Sequence, residues 1–301
     1  MAHFQRNAGT ILMTGTIKYF NSEDAAKVLG VNVSTIKRWT EGGALECIKT
    51  AGGHRKFLMS HLASFVEKNR KKNSKVNLFT LESEQDIEIS YRILKGDYKY
   101  LVEYILEHSL NCNREKVQQV LNGLYLGQYP LHFIYDVIIT PVLHQIGHLW
   151  IENKLSIIQE HFASQTIRDC ITRLQGIIKM PQQVDVRALC FAPSNEMHDI
   201  PLKMVDHILE TRGFAVYNTG QNTPVEKIGD IFDTIAPNRL YISSTNRINI
   251  NELQSEINKL YEIAREIHCD VYVGGRSFDE IDYSHPAVKK RLFTFEEVYK
   301  Y

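Results

Sequence analysis

Between residues 17 and 66 apolar positions recur at helical spacing in short bursts. In "NSEDAAKVLG" Ala25, Ala26, Val28 and Leu29 share one side, Ser22 stands where a helix is capped and Gly30 where it stops. In "VNVSTIKRWTEGG" Ser34 is placed to cap a second helix that turns Ile36 and Trp39 inward. Two short helices joined by a turn over residues 30–33 make a helix-turn-helix. "ALECIKTAGGHRKF" follows, and predicts two short strands about a glycine turn, the wing of a winged helix-turn-helix. A further helix, "LMSHLASFVEK", runs into "KNRKKNSK", which has no apolar side and reads as a linker. The expected boundaries are a first domain over 17–68 and a linker over 69–83, with residues 1–15 as a loose arm.

From 84 to 180 the period stays helical, through "EQDIEISYRILKG", "DYKYLVEYILEHSL", "NREKVQQVLNGLYL", "PLHFIYDVIITPVLHQIGHLWIENK" and "SIIQEHFASQTIRDCITRLQGIIKM", and predicts a bundle of four or five helices. Pro181 and "QQVD" end it. Over 184–301 short β-rich runs ("VRALCFA", "FAVYNT", "NRLYISST", "CDVYVGG") alternate with helical ones, and a basic helix is expected near "AVKKRLF". That alternation predicts a doubly wound, flavodoxin-like parallel sheet. The fold class is therefore multidomain, α followed by α/β.

The formal net charge is zero, yet residues 1–75 hold 13 Lys/Arg against 5 Asp/Glu and the remainder 22 against 30. A polyanion would bind the basic first part. The second helix offers Ser34, Thr35, Lys37 and Arg38 to base edges, and the wing offers His54, Arg55 and Lys56 to phosphates. This segment resembles the MerR-type DNA-binding domains, with "TAGGHRKF" similar to the wing of their excisionase-like branch. The resemblance implies a dimeric reader of operator DNA. The five cysteines show no metal or redox spacing, and no apolar run is long enough to cross a membrane, so a cytoplasmic location is expected.

"SNEMHDIPLK" lies where the first strand of the α/β region hands over to its helix. A histidine there points over the carboxyl edge of the sheet and is a general base, a metal ligand or a core filler. Beyond Glu196-Met-His198-Asp-Ile-Pro201 come 41 residues, then Ser243-Ser244-Thr245 at the end of an apolar strand, then 28 residues and Gly274-Gly275. Three small or polar clusters at three strand ends outline a slot in which hydroxyls bond a polar nucleotide and glycines let it pass.

This pattern resembles the cobalamin-binding domain, whose signature is Asp-x-His-x-x-Gly, then about 41 residues, Ser-x-Leu, about 27 residues, and Gly-Gly. The resemblance implies His198 as the lower axial ligand of cobalt and Glu196 as the carboxylate that fixes its tautomer. Glu196 stands where the signature has Asp, and Pro201 where it has Gly.

In the bundle Trp150 ends one helix, Ser156 and Gln159 can form a capping box, and Glu160-His161 open the next. Trp, nine residues, Glu-His resembles the upper-face bundle of the CarH/LitR family of cobalamin-dependent photoreceptor repressors, and the domain order matches from Ile17 onward. The resemblance implies a non-enzymatic, light-responsive transcriptional regulator that binds adenosylcobalamin, with Trp150, Glu160 and His161 around the adenosyl group. It also implies a dimer-to-tetramer assembly on DNA in darkness, released once light breaks the cobalt–carbon bond. Ile151 stands where well-studied members have a second cobalt ligand. His144 and His148 share a helix face and could bind metal, although no third ligand is identifiable. The competing readings are a corrinoid methyl carrier, and a regulator of the same architecture that is controlled by a partner protein instead of cobalamin.

Overall fold

The structure, a computed structural model, describes residues 19–29, 31–58, 61, 62, 64, 65, 68, 84–178, 180–226, 228–247 and 249–301. The expected arm over 1–15, the Gly30 stop and the linker over 69–83 lie outside these, as do parts of the "LMSHLASFVEK" helix. The chain divides into two compact units, Met1–Asp97 and Tyr98–Tyr301.

In the first unit, α1 (Ser22–Val28) is capped not by Ser22 but by Asn21, whose side chain accepts from the Asp24 N–H at 2.7 Å. Likewise α2 (Val33–Glu41) starts one residue ahead of Ser34, with Asn32 at the cap position and no side-chain cap bond. Asparagine suits a cap as well as serine does, so polar neighbours compete for the position. Ala25, Ala26, Val28, Leu29 and Ile36 are buried, and the Trp39 ring packs on Phe65 at 4.5 Å. The wing is an antiparallel pair, β1 (Ile48–Lys49) and β2 (Arg55–Lys56). Gly53, at φ +77°, makes its turn.

The helix expected to open the bundle, α3 (Glu84–Lys95), instead joins this unit. Ile87 enters its core, Tyr91 meets Phe20 edge-on at 4.7 Å, and Lys95 Nζ donates to both carboxylate oxygens of Asp24 at 3.0 and 3.1 Å.

The second unit begins with α4 (Tyr98–Leu110) and α5 (Arg114–Leu126). The long apolar run after Pro130 is α6 (Leu131–Phe133), a π-helical stretch over Ile134–Ile139, and α7 (Thr140–Ile151). Pro141 lacks an N–H and its ring crowds the carbonyl one turn back, and the widened π turn accommodates it. The Ser156–Gln159 capping box opens α8 (Ile157–Leu174). Leu101, Ile105, Val117, Leu121, Ile138, Val142 and Ile167 fill the bundle.

The α/β part runs β3 (Arg187–Phe191), α9 (Ile200–Thr211), β4 (Ala215–Asn218), α10 (Ile228–Ile235), β5 (Arg239–Ser243), α11 (Ile250–Glu266), β6 (Asp270–Gly274), β7 (Val288–Leu292) and α12 (Phe295–Lys300). Its five strands are all parallel, in the order β4-β3-β5-β6-β7. The run "AVKKRLF", expected as a basic helix, is the edge strand β7. Its charged side chains, Lys289 paired with Asp270, Lys290 with Glu297 and Arg291 with Asp279, are of the kind that marks an exposed strand edge. Leu189, Phe191, Leu240, Ile242, Val271 and Val273 point to the face covered by α10 and α11.

Bundle and sheet are joined through the π turn. The Tyr135 hydroxyl meets His207 Nδ1 at 2.9 Å, and the Asp136 carboxylate accepts from the N–H groups of Phe295 and Glu296 at 2.8 and 2.9 Å. Among the described residues no helix is long and apolar enough to cross a membrane.

Candidate functional site

The strand order reverses direction between β3 and β5, so the loops that leave their carboxyl ends diverge and open a crevice. Glu196 comes from the first loop and Thr245 and Asn246 from the second. The Glu196 carboxylate is 1% exposed and saturated with donors. Oε1 accepts from the His198 N–H at 2.8 Å and lies 2.6 Å from His198 Nδ1. Oε2 accepts from the Thr245 N–H, from the Thr245 hydroxyl at 3.1 Å and from the Asn246 N–H at 2.9 Å. The His198 side chain, by contrast, is 66% exposed.

The electrostatics follow from these contacts. Burial pushes the Glu196 carboxyl up, but the bonds from His198, Thr245 and Asn246 overcome it and hold the group at about 2. The bond to Glu196 raises His198 from its ordinary value against the effect of partial burial, and the Glu160 charge adds to the rise. With Nδ1 turned to the carboxylate and, at 2.9 Å, to the Thr245 hydroxyl, the nitrogen left for an incoming ligand is Nε2.

The remaining slot residues divide by what they touch. Ser243 ends β5 opposite Gly274 in the register. The Ser244 hydroxyl is spent on Ser277 Oγ at 2.9 Å, and Thr245 on Glu196 and His198, so these two hydroxyls hold the loop, where a nucleotide-bonding role was expected. Gly275 is also fixed by the chain itself. At φ +101°, a Cβ there would stand 2.0 Å from the Ser244 carbonyl oxygen. Pro201 falls in the first turn of α9, where its missing N–H costs no helical bond.

From the bundle, Trp150 is 45% exposed and Ile151 67%. Glu160 Oε2 lies 2.6 Å from His161 Nδ1, and Oε1 accepts from the Ser164 hydroxyl at 2.7 Å. α8 faces the β3 loop: Arg168 Nε donates to Asp199 at 2.6 Å, and the Glu160 charge in its first turn reaches His198. His144 and His148 are exposed on α7, and among the described residues no group of three His, Cys, Asp or Glu could hold a metal. Sequence reasoning missed Asn246 and the Arg168–Asp199 pair. The first acts through its backbone, and the second joins residues 31 apart in the chain.

The donor set fits a corrinoid. An exposed imidazole whose Nδ1 is clamped by an ionised, buried carboxylate presents Nε2 as a neutral ligand of raised basicity, which is what a cobalt ion requires of an axial base.

In the first unit Ser34, Lys37 and Arg38 are exposed on α2, with Thr35 half-buried. His54 and Lys56 are exposed on the wing, while Arg55 is bound to Glu41 at 3.0 Å, so the hairpin is tied to the end of α2.

Residues 19–70 match the helix-turn-helix domain family, and residues 91–175 match the B12 binding domain family. The chain is 24% identical over 280 residues to the HTH-type transcriptional repressor CarH of Myxococcus xanthus, covering 89% of this chain and 91% of that protein. A monomethylamine corrinoid protein of Methanosarcina barkeri superposes with a TM-score of 0.56 at 13% identity, over 67% of this chain and 96% of its own, a likeness of fold alone. With both domain families present in this order and the similarity to CarH running through most of its length, the chain carries a helix-turn-helix domain followed by a B12 binding domain.

Proposed function

We propose that the protein is a cobalamin-binding transcriptional regulator that responds to light, acting as a repressor. The observation that carries the reading is the exposed His198 imidazole on the buried Glu196 carboxylate at the reversal of strand order, in a chain that also carries a helix-turn-helix. His198 Nε2 would hold cobalt from below, with Glu196 and Thr245 fixing the tautomer. The strand ends at Ser243, Gly274 and Gly275 would border the nucleotide tail. Trp150, Glu160 and His161 would cover the adenosyl group from above. When bound, adenosylcobalamin supplies a cobalt–carbon bond that light cleaves.

The rest falls to the polypeptide. A ligand shifts assembly only by binding one assembly more tightly than another, and moving a population from 1:99 to 99:1 takes about 10⁴-fold differential affinity. Self-association multiplies single-wing contacts through effective concentration, so a change in subunit number becomes a change in DNA affinity. Operator contacts would come from Ser34, Thr35, Lys37 and Arg38, and phosphate contacts from His54, Arg55 and Lys56.

The test is protein purified with adenosylcobalamin in darkness, its visible spectrum, mass and DNA affinity recorded before and after green light. Expected are a coloured protein, a larger oligomer and DNA binding in the dark, with mass and affinity falling on illumination. A colourless protein, or one whose mass and DNA affinity ignore the cofactor, overturns the reading. Turnover of methylcobalamin with a partner methyltransferase, without DNA binding, would assign the chain to methyl transfer.

A further inference from the structure

At the amino-terminal edge of the sheet, opposite the cofactor crevice, two arginines share one aromatic wall. The Arg212 and Arg239 guanidinium carbons lie 4.5 and 5.2 Å from the centroid of the same ring, that of Phe214. Arg239 also lies 5.6 Å from the Tyr272 ring, which stacks on Tyr241 at 4.9 Å, and its Nη1 reaches the Tyr241 hydroxyl at 3.5 Å. Arg212 is held from the other side by the Val298 carbonyl at 3.3 Å. Burial lowers the Arg212 guanidinium from its ordinary value, Tyr241 opposing this and the Arg239 charge adding to it.

The nearest acid by register does not neutralise the pair. Asp270 sits across from Arg239 on β6, but its carboxylate is 3.3 Å from Lys289. Among the described residues no carboxylate lies within ion-pair distance of either guanidinium. Both guanidiniums are half-buried without a carboxylate partner, and a bound anion offsets the cost of holding two like charges there. Guanidiniums present planar forks of donors, and the two neighbouring phenols add further O–H groups. Donors in that number suit an oxyanion with several oxygens.

We propose that Arg212 and Arg239, with the Tyr241 and Tyr272 hydroxyls, form a binding site for a phosphate group, separate from the crevice at the carboxyl ends of the strands. The site takes inorganic phosphate or the phosphoryl end of a small molecule.

Calorimetric titration of the full-length chain with phosphate and with pyrophosphate, against chloride at matched ionic strength, tests this. Saturable one-site binding of either anion is expected. Arg239→Gln and Arg212→Gln should each weaken it at least tenfold, and Arg239→Lys should restore part of it. Absence of saturable heat in the wild-type protein overturns the proposal, as does undiminished affinity in both glutamine variants. Circular dichroism identifies a variant that fails to fold, and the other variant and the wild-type titration then decide. Cobalamin uptake of the folded variants should be unchanged, so failure here leaves the reading of the crevice standing.

Discussion

Glu196 Oε1 lies 2.6 Å from His198 Nδ1, while the opposite oxygen of the same carboxylate binds the β5 loop through Thr245 and Asn246. One buried group therefore sets both the orientation of the imidazole and the position of the facing loop.

Replacing Glu196 with Gln puts an amide NH₂ against donors that need an acceptor. We expect a loss of about 1–3 kcal/mol of stability for the orphaned groups and roughly ten- to hundredfold weaker cobalamin binding. Absorbance titration with cobalamin and urea denaturation measure the two effects. Full affinity in the variant would show that the carboxylate does not orient the ring.

Gly275→Ala should destabilise the second unit by about 2–4 kcal/mol, because the new methyl meets the Ser244 backbone in a conformation that L residues rarely adopt. A shifted urea midpoint is the readout. Since the strained contact is with the loop that binds Glu196, cobalamin uptake should fall in parallel.

His207 is buried, bonded at Nδ1 to Tyr135 and without a partner at Nε2 among the described residues. Burial pushes it down to about 4 from 6.5. The folded value is depressed, so between these two pH values the unfolded chain binds a proton that the folded chain does not. The contribution of neutral His207 is complete above pH 6.5 and declines as pH falls, by about 1.4 kcal/mol per unit. Urea midpoints from pH 7 to pH 4.5 should fall less steeply in a His207→Gln variant.

Ile87 lies on α3, yet its side chain belongs to the core beneath the helix-turn-helix. Ile87→Ala should cost about 2–5 kcal/mol in the first unit. A fragment ending at Asp97 should melt higher than one ending at residue 83. Equal melting temperatures would remove α3 from that unit.

The two helices of the reading head, the wing, the parallel sheet and the Glu196–His198 pair were legible because each is written in local periodicity or in spacing along the chain. Most of what was lost is non-local. The edge position of β7 depends on its pairing with β6, and "VKKRL" carries no local mark of that pairing. The membership of α3 depends on Phe20 and Asp24, some seventy residues away in the chain. In sequence Gly274-Gly275 offers room for a ligand, whereas in the fold the second glycine is required by the crossing of Ser244. The shift from Ser22 to Asn21 as the cap is a contest between adjacent polar residues of similar capping strength.

The outermost strand of the sheet displays Lys289, Lys290 and Arg291 in succession. Each is answered by an acid, Lys289 by Asp270, Lys290 by Glu297 and Arg291 by Asp279, so a further strand laid along that edge would have to settle against side chains already engaged in ion pairs. That border is an unfavourable place for a further strand to pair.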